Sequence, residues 1–125
     1  MPRTQDRLSL FPITSRINAE GHLEIGGLKL SALVEQFGTP LYIYDSATFD
    51  GQIDTLKKLL RKYYSGSASI AYATKAYFSL VFARKLGKLG VGADLITIGD
   101  ICTAQKAKMD PSLLHLHGNN KSDEE

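Results

Sequence analysis

The sequence has a single cysteine, Cys102, and no tryptophan. One cysteine cannot form an internal disulfide or a thiolate metal cluster, and on a predicted helix it is expected to be a small core residue. His115 and His117 would share one face of a strand, but no third ligand is evident, and His22 lies far away in the sequence. We therefore predict no metal site.

Long apolar runs and a strong net charge are also missing. No stretch is long enough to span a bilayer, and the first ten residues carry Arg3, Asp6 and Arg7 without an apolar core, unlike a signal peptide. A formal net charge of +2 is too small to indicate a nucleic-acid partner. We expect a cytoplasmic protein that binds neither membrane nor nucleic acid.

The second half of the chain alternates strand-like and helix-like segments. Apolar runs and turn residues predict a strand ending near Lys75 and, after it, the helix 78–89, the strand 91–96, the helix 99–109 and the strand 113–116. A βαβαβ pattern indicates an α/β fold with parallel strands and right-handed crossovers.

The first half has three predicted parts. Residues 1–20 form a loose arm, residues 21–45 form a β hairpin, a short helix and an entry strand, and a long helix begins the third part, 46–125. Gly26 and Gly27 mark the hairpin turn. Ser31 is predicted to cap the short helix 32–37, and Gly38 to end it in the left-handed conformation. The entry strand is 41–44. Asp45 or Ser46 caps the long helix, whose apolar stripe is Phe49, Ile53, Leu56, Leu60 and Tyr63.

Lys75 is the candidate catalytic residue, because it interrupts the apolar run 69–77, in which we expect it to be buried. Burial disfavours a charged ammonium, and the neutral amine is the form that attacks a carbonyl, such as that of an aldehyde cofactor. The alternative is a lysine at a strand end that reaches water or pairs with a carboxylate.

Several motifs in order resemble one enzyme family. They are the segment Gly38–Asp45, Tyr72–Ala76 around Lys75, Gly92-Ala93-Asp94, Gly99-Asp100 and the stretch His117–Ser122. Together they resemble the pyridoxal-phosphate barrel decarboxylases of the ornithine, diaminopimelate and arginine type, and most of all the diaminopimelate decarboxylases. The resemblance implies the first βα units of a partial pyridoxal-phosphate-binding TIM-type barrel, preceded by a short β segment. It covers the chain from about Gly21 onward.

The resemblance also implies roles for individual residues. Lys75 would bond covalently to pyridoxal 5'-phosphate, with Asp94 close to both and with His117 and Asn119 contacting the cofactor. Two alternatives stay open: Asp94 serves only as the cap of the next turn, and the segment from His117 to Asn120 forms a tight turn. Asp100 stands where the family usually has glutamate, and the alternative is that it serves only as the N-cap of helix 101–109.

Length limits what the chain does alone. A complete barrel takes roughly 250 residues, and this sequence has 125. Ser122-Asp123-Glu124-Glu125 has the form of a capping box, so a helix is expected to start there. The resemblance places the phosphate-binding loop beyond Glu125. We expect a front fragment that alone binds the cofactor weakly or nonspecifically and does not decarboxylate.

The predicted function is that of a carboxy-lyase in lysine biosynthesis. The full-length form, expected to be a homodimer, would convert the small amino acid meso-diaminopimelate to L-lysine and CO2. The alternatives are an ornithine, arginine or carboxynorspermidine decarboxylase, and a noncatalytic module that pairs with a full-length homologue. The presence of Lys75 favours an enzyme.

Overall fold

The computed structural model describes residues 8–119 and 121–125. The first seven residues of the predicted arm, and Asn120 in the predicted site segment, lie outside the described residues. The chain divides into two compact units, one ending at Tyr63 and the other beginning at Tyr64. The division into 1–20, 21–45 and 46–125 stays a prediction.

The first unit contains a three-stranded antiparallel sheet. Its strands are β1 (Arg16–Ile17), β2 (Leu23–Ile25) and β3 (Leu28–Lys29), in the order β1-β2-β3. Gly26 and Gly27 form the predicted hairpin turn with φ of 59° and 81°, angles that favour glycine. Part of the predicted loose arm is a strand: β1 pairs with β2, and Arg16 Nε donates to Glu24 Oε2 at 2.7 Å.

The short helix α1 (Leu30–Phe37) begins earlier than predicted. Ser31 was wrongly predicted as its N-cap: Lys29 holds that position and makes no capping bond through its side chain. Gly38 ends the helix with φ of 77°, and its N–H donates to Val34 O at 2.8 Å, but its ψ of −171° is not left-handed helical.

The predicted entry strand 41–44 is not formed, since residues 41–45 have no regular secondary structure. A strand needs a hydrogen-bonded neighbour. Within the described ranges, both three-stranded sheets are built without this segment.

The long helix α2 (Ser46–Tyr63) begins at the predicted cap. Asp45 Oδ2 accepts from Thr48 N at 2.8 Å, and Asp45 Oδ1 accepts from Thr14 Oγ1 at 2.9 Å. The Thr48 hydroxyl, followed by these other donors, lowers the pKa of Asp45. Of the predicted apolar stripe, Ile53 is buried, whereas Leu56 and Tyr63 are exposed.

The second unit has the predicted βαβαβ order. Its parallel strands are β4 (Ala71–Ala73), β5 (Gly92–Leu95) and β6 (Leu114–Leu116), connected by helices α3 (Leu80–Lys88) and α4 (Ile98–Ala107). The core side chains of this unit that are completely buried are Ala83, Leu86, Val91, Ala93 and Ala104.

Cys102 is exposed on α4, so its prediction as a core residue is wrong. Successive helix residues are rotated by about 100°. Ala104, two residues further on, is completely buried and faces the core, which turns Cys102 away from it.

Candidate active site

The carboxyl ends of β4, β5 and β6 bring the predicted residues to one edge of the sheet. Ala73 in β4 pairs with Asp94 in β5, and Asp94 pairs with His115 in β6. Lys75 and His117 each follow two residues beyond these partners. In a barrel of alternating strands and helices this edge carries the reactive groups.

Asp94 and His117 are in direct contact. Asp94 Oδ2 lies 3.2 Å from His117 Nδ1, and His117 N donates to Leu95 O at 2.7 Å. An ionised carboxylate only accepts, so this contact places the hydrogen on Nδ1. Thr97, and not Asp94, caps the following helix.

Lys75 lies in a single 3-10 turn, Thr74–Ala76, directly after β4. We expected a buried lysine, and this is wrong because the side chain is exposed. The strand ends at Ala73, and the buried position of the turn belongs to Thr74, which is only 4% exposed. Within residues 8–119 and 121–125 the Lys75 ammonium makes no hydrogen bond or ion pair. The side chain therefore reaches water, as the alternative interpretation predicted, and among the described residues the amine has no carboxylate partner.

Asn119 is exposed, and its predicted contact with a cofactor stays a prediction. Beside it, Gly118 has φ of 123°, and a Cβ there would lie 3.0 Å from Lys121 Nζ. The Lys121 ammonium donates to the carbonyl of Ile96, just past the end of β5. Gly118 thus avoids a close contact with the Lys121 side chain, which connects the segment after β6 to the residue after β5. This contact was not predicted from the sequence.

Asp100 is not the N-cap of its helix. Thr97 is the cap, and Asp100 is the third helical residue of a capping box: Asp100 N donates to Thr97 Oγ1 at 3.2 Å, and Thr97 N donates to Asp100 Oδ2 at 3.1 Å. Partial burial opposes ionisation of Asp100. The N–H groups of Ile96 and Thr97 and the hydroxyls of Thr74 and Thr97 outweigh it and lower its pKa.

The end of the described chain has the hydrogen bonds of the predicted capping box. Ser122 N donates to Glu125 Oε2 at 3.0 Å, and Glu125 N donates to Ser122 Oγ at 3.3 Å. The bond from the Ser122 backbone is the main reason that the pKa of Glu125 is lowered.

A cleft of about 460 Å³ lies at the opposite edge of the sheet, where β5 and β6 begin. Its lining includes Arg84, Lys88, Val91, Lys108 and Met109. It is separate from the edge that carries Lys75. The described residues contain no group of three or more histidine, cysteine, aspartate or glutamate side chains placed to hold a metal, and none of their helices has the length and apolarity to cross a membrane.

Comparison with known proteins shows what the chain is related to. No protein-family model matches it. The chain is 36% identical over 125 residues to diaminopimelate decarboxylase from Synechocystis sp., covering 94% of this chain and 27% of that protein. It is 40% identical over 113 residues to diaminopimelate decarboxylase from Bacillus subtilis, covering 90% of this chain and 25% of that protein.

Solved structures agree with these relatives. Diaminopimelate decarboxylase from M. jannaschii matches with a TM-score of 0.79 and 30% identity, over 89% of this chain and 26% of that one. A structure of the M. jannaschii enzyme in co-complex with L-lysine matches with a TM-score of 0.74. The predicted fold class, the front part of a TIM-type barrel, is confirmed, and the chain spans about a quarter of the length of its relatives.

Proposed function

We propose that this chain, which is related over about 90% of its length to the N-terminal quarter of diaminopimelate decarboxylases, supplies the first strands and helices of an enzyme that converts meso-diaminopimelate to L-lysine and CO2. The observation that carries this proposal is the sheet edge at which an exposed Lys75 follows β4 and Asp94 in β5 contacts His117 after β6. The names of the relatives favour this substrate over ornithine or arginine.

The residues at this edge fit pyridoxal phosphate. An aldehyde needs an accessible amine without a competing partner, and Lys75 is exposed and makes no hydrogen bond or ion pair to the described residues. Lys75 would hold the cofactor covalently, with Asp94, His117 and Asn119 beside it. When bound, pyridoxal phosphate supplies the electron sink for the electron pair that decarboxylation leaves on the α-carbon.

The side chains of this chain have three tasks in that reaction. Asp94 favours the Nδ1–H form of His117 and fixes the ring. Asp94, which pairs with Ala73 at the end of β4, also places its carboxylate at the sheet edge where the lysine turn begins. Lys75 would hold a proton at Nζ and is a candidate donor to the substrate α-carbon.

The remaining proposals follow from the relatives. A structure of the M. jannaschii enzyme in co-complex with L-lysine supports a small amino-acid ligand. A cytoplasmic homodimer as the full-length form is proposed from the family resemblance alone.

The test is a chimera in which residues 8–125 replace the matching quarter of the Bacillus subtilis relative. We expect CO2 release from meso-diaminopimelate, its loss in Lys75→Ala, and full activity in the control Lys106→Ala, which removes an exposed lysine of α4. The 125-residue chain alone should release none, because it spans only a quarter of the relatives. A folded chimera that is inactive, or one that is equally active after Lys75→Ala, contradicts the proposal.

A further inference from the structure

A buried hydroxyl lies directly beside Lys75. Thr74 Oγ1 is 3.0 Å from Asp94 O in β5 and 3.0 Å from Asp100 Oδ2 in α4. A hydroxyl has one hydrogen to donate, and an ionised carboxylate is the stronger acceptor. The Thr74 hydroxyl therefore connects the lysine turn to α4 through Asp100.

Asp100 Oδ2 accepts three hydrogen bonds. Besides the Thr74 hydroxyl it accepts from Ile96 N at 3.0 Å and from Thr97 N at 3.1 Å. One carboxylate oxygen thus joins the turn after β4, the segment after β5 and the start of α4. A shift of Asp100 would move the turn that carries Lys75.

The lysine turn itself is short. It is a single 3-10 turn without a side-chain hydrogen bond at its N-cap, Ala73, and it passes into extended backbone at Tyr77. Its buried side chain is Thr74. A short 3-10 turn has weak internal hydrogen bonds, so an external bond decides how firmly it is held.

We propose that Thr74 and Asp100 are positioning residues, whose hydrogen bond holds Lys75 at a fixed place beside Asp94. This proposal rests on the function proposed above for Lys75. Valine has nearly the shape of threonine and suits the same buried position, so Thr74→Val removes the hydroxyl with little change in packing. Thr74→Ser keeps the hydroxyl.

Amide exchange of the 125-residue chain tests the link without any cofactor. We expect Thr74→Val to speed exchange of the Ala76 and Tyr77 amides, the donors of a 3-10 turn over Thr74–Ala76, about tenfold, the effect of losing a hydrogen bond to a charged group. Leu86, buried in α3, should be unchanged. Thr74→Ser should match the wild type. The control Thr103→Val removes a threonine hydroxyl that donates within α4, to Gly99 O at 2.8 Å, and should leave the turn unchanged.

A second measurement reads the position of the amine. Each substitution is made in the chimera with the Bacillus subtilis relative, the protein is incubated with pyridoxal phosphate and reduced with borohydride, and the ratio of label on Lys75 to label on Lys106 is determined by mass spectrometry. We expect a ratio of several fold for the wild type and Thr74→Ser, and a ratio near one for Thr74→Val.

The outcomes separate the two proposals. The positioning role of Thr74 is overturned if the amides of the lysine turn exchange in Thr74→Val at the wild-type rate. It is also overturned if Thr103→Val speeds their exchange as much as Thr74→Val does. A ratio near one in the wild type, together with fast exchange in Thr74→Val, overturns the role of Lys75 and leaves the hydrogen bond supported. A ratio in Thr74→Val equal to that of the wild type shows that the bond does not position the amine.

Discussion

Replacing Gly92 by alanine should open the junction of β5 and β6. The added Cβ would lie 2.2 Å from the backbone oxygen of Leu113, the residue before β6, and 3.2 Å from its carbonyl carbon. Since ordinary contact begins near 3.4 Å, the two backbones must separate by about 1 Å. Backbone cannot rotate away as a flexible side chain can.

The cost follows from what that separation breaks. Overpacking costs about 1–3 kcal/mol, and each weakened hydrogen bond between the strands adds about 1 kcal/mol. We expect a loss of about 3 kcal/mol in the free energy of unfolding, a large share of the total for a small protein. Asp94 and His117 lie on these two segments, so their contact should be lost as well.

Urea denaturation followed by circular dichroism measures this loss. With a slope of about 1–3 kcal/mol per molar urea, the midpoint should fall by about 1–3 M. The matched control is Gly87→Ala in α3, where an added Cβ meets nothing within 4 Å. It should raise stability by about 0.5–1 kcal/mol, because alanine favours a helix. Equal midpoints for Gly92→Ala and the wild type would show that the added Cβ does not force β5 and the residue before β6 apart.

Three further predictions concern α4. Thr97→Ala should cost about 1 kcal/mol of stability in urea denaturation, because it removes the N-cap hydroxyl, and Thr97→Ser should not. The folded-state pKa of Asp100 is lowered, so its stabilising contribution is present above its unfolded pKa of about 4 and is lost as the pH falls through the folded pKa. Asp100→Asn should therefore lose less stability than the wild type on acidification below pH 4, and parallel pH profiles would contradict this. Cys102 should react fully with a thiol reagent without denaturant, whereas a protected thiol would disagree with its exposure.

The order of elements in the second unit was predictable because its signals are local. Apolar runs mark β5 and β6. Gly90 follows the end of α3 and has a φ of 61°, which favours glycine. The resemblance to a family depended on residues at the strand ends, and the structure places Asp94 in contact with His117 there.

Burial and pairing were harder to predict because they depend on distant backbone. Lys75 was expected to be buried because the apolar run continues past it, but β4 ends at Ala73 and Thr74 takes the inner position. The segment 41–44 has strand-like residues, yet it has no neighbouring strand in the described chain. The capping box of Thr97 and Asp100 was missed because it uses aspartate where glutamate is usual.

Covalent binding of pyridoxal phosphate by Lys75 is tested by locating the residue to which the cofactor attaches. Pyridoxal phosphate is bound to the chimera with the Bacillus subtilis relative, fixed by borohydride reduction and located by peptide mass spectrometry. We expect one label per chain, on Lys75, and loss of that label in Lys75→Ala. A label on another lysine, or an undiminished label in Lys75→Ala, would contradict it.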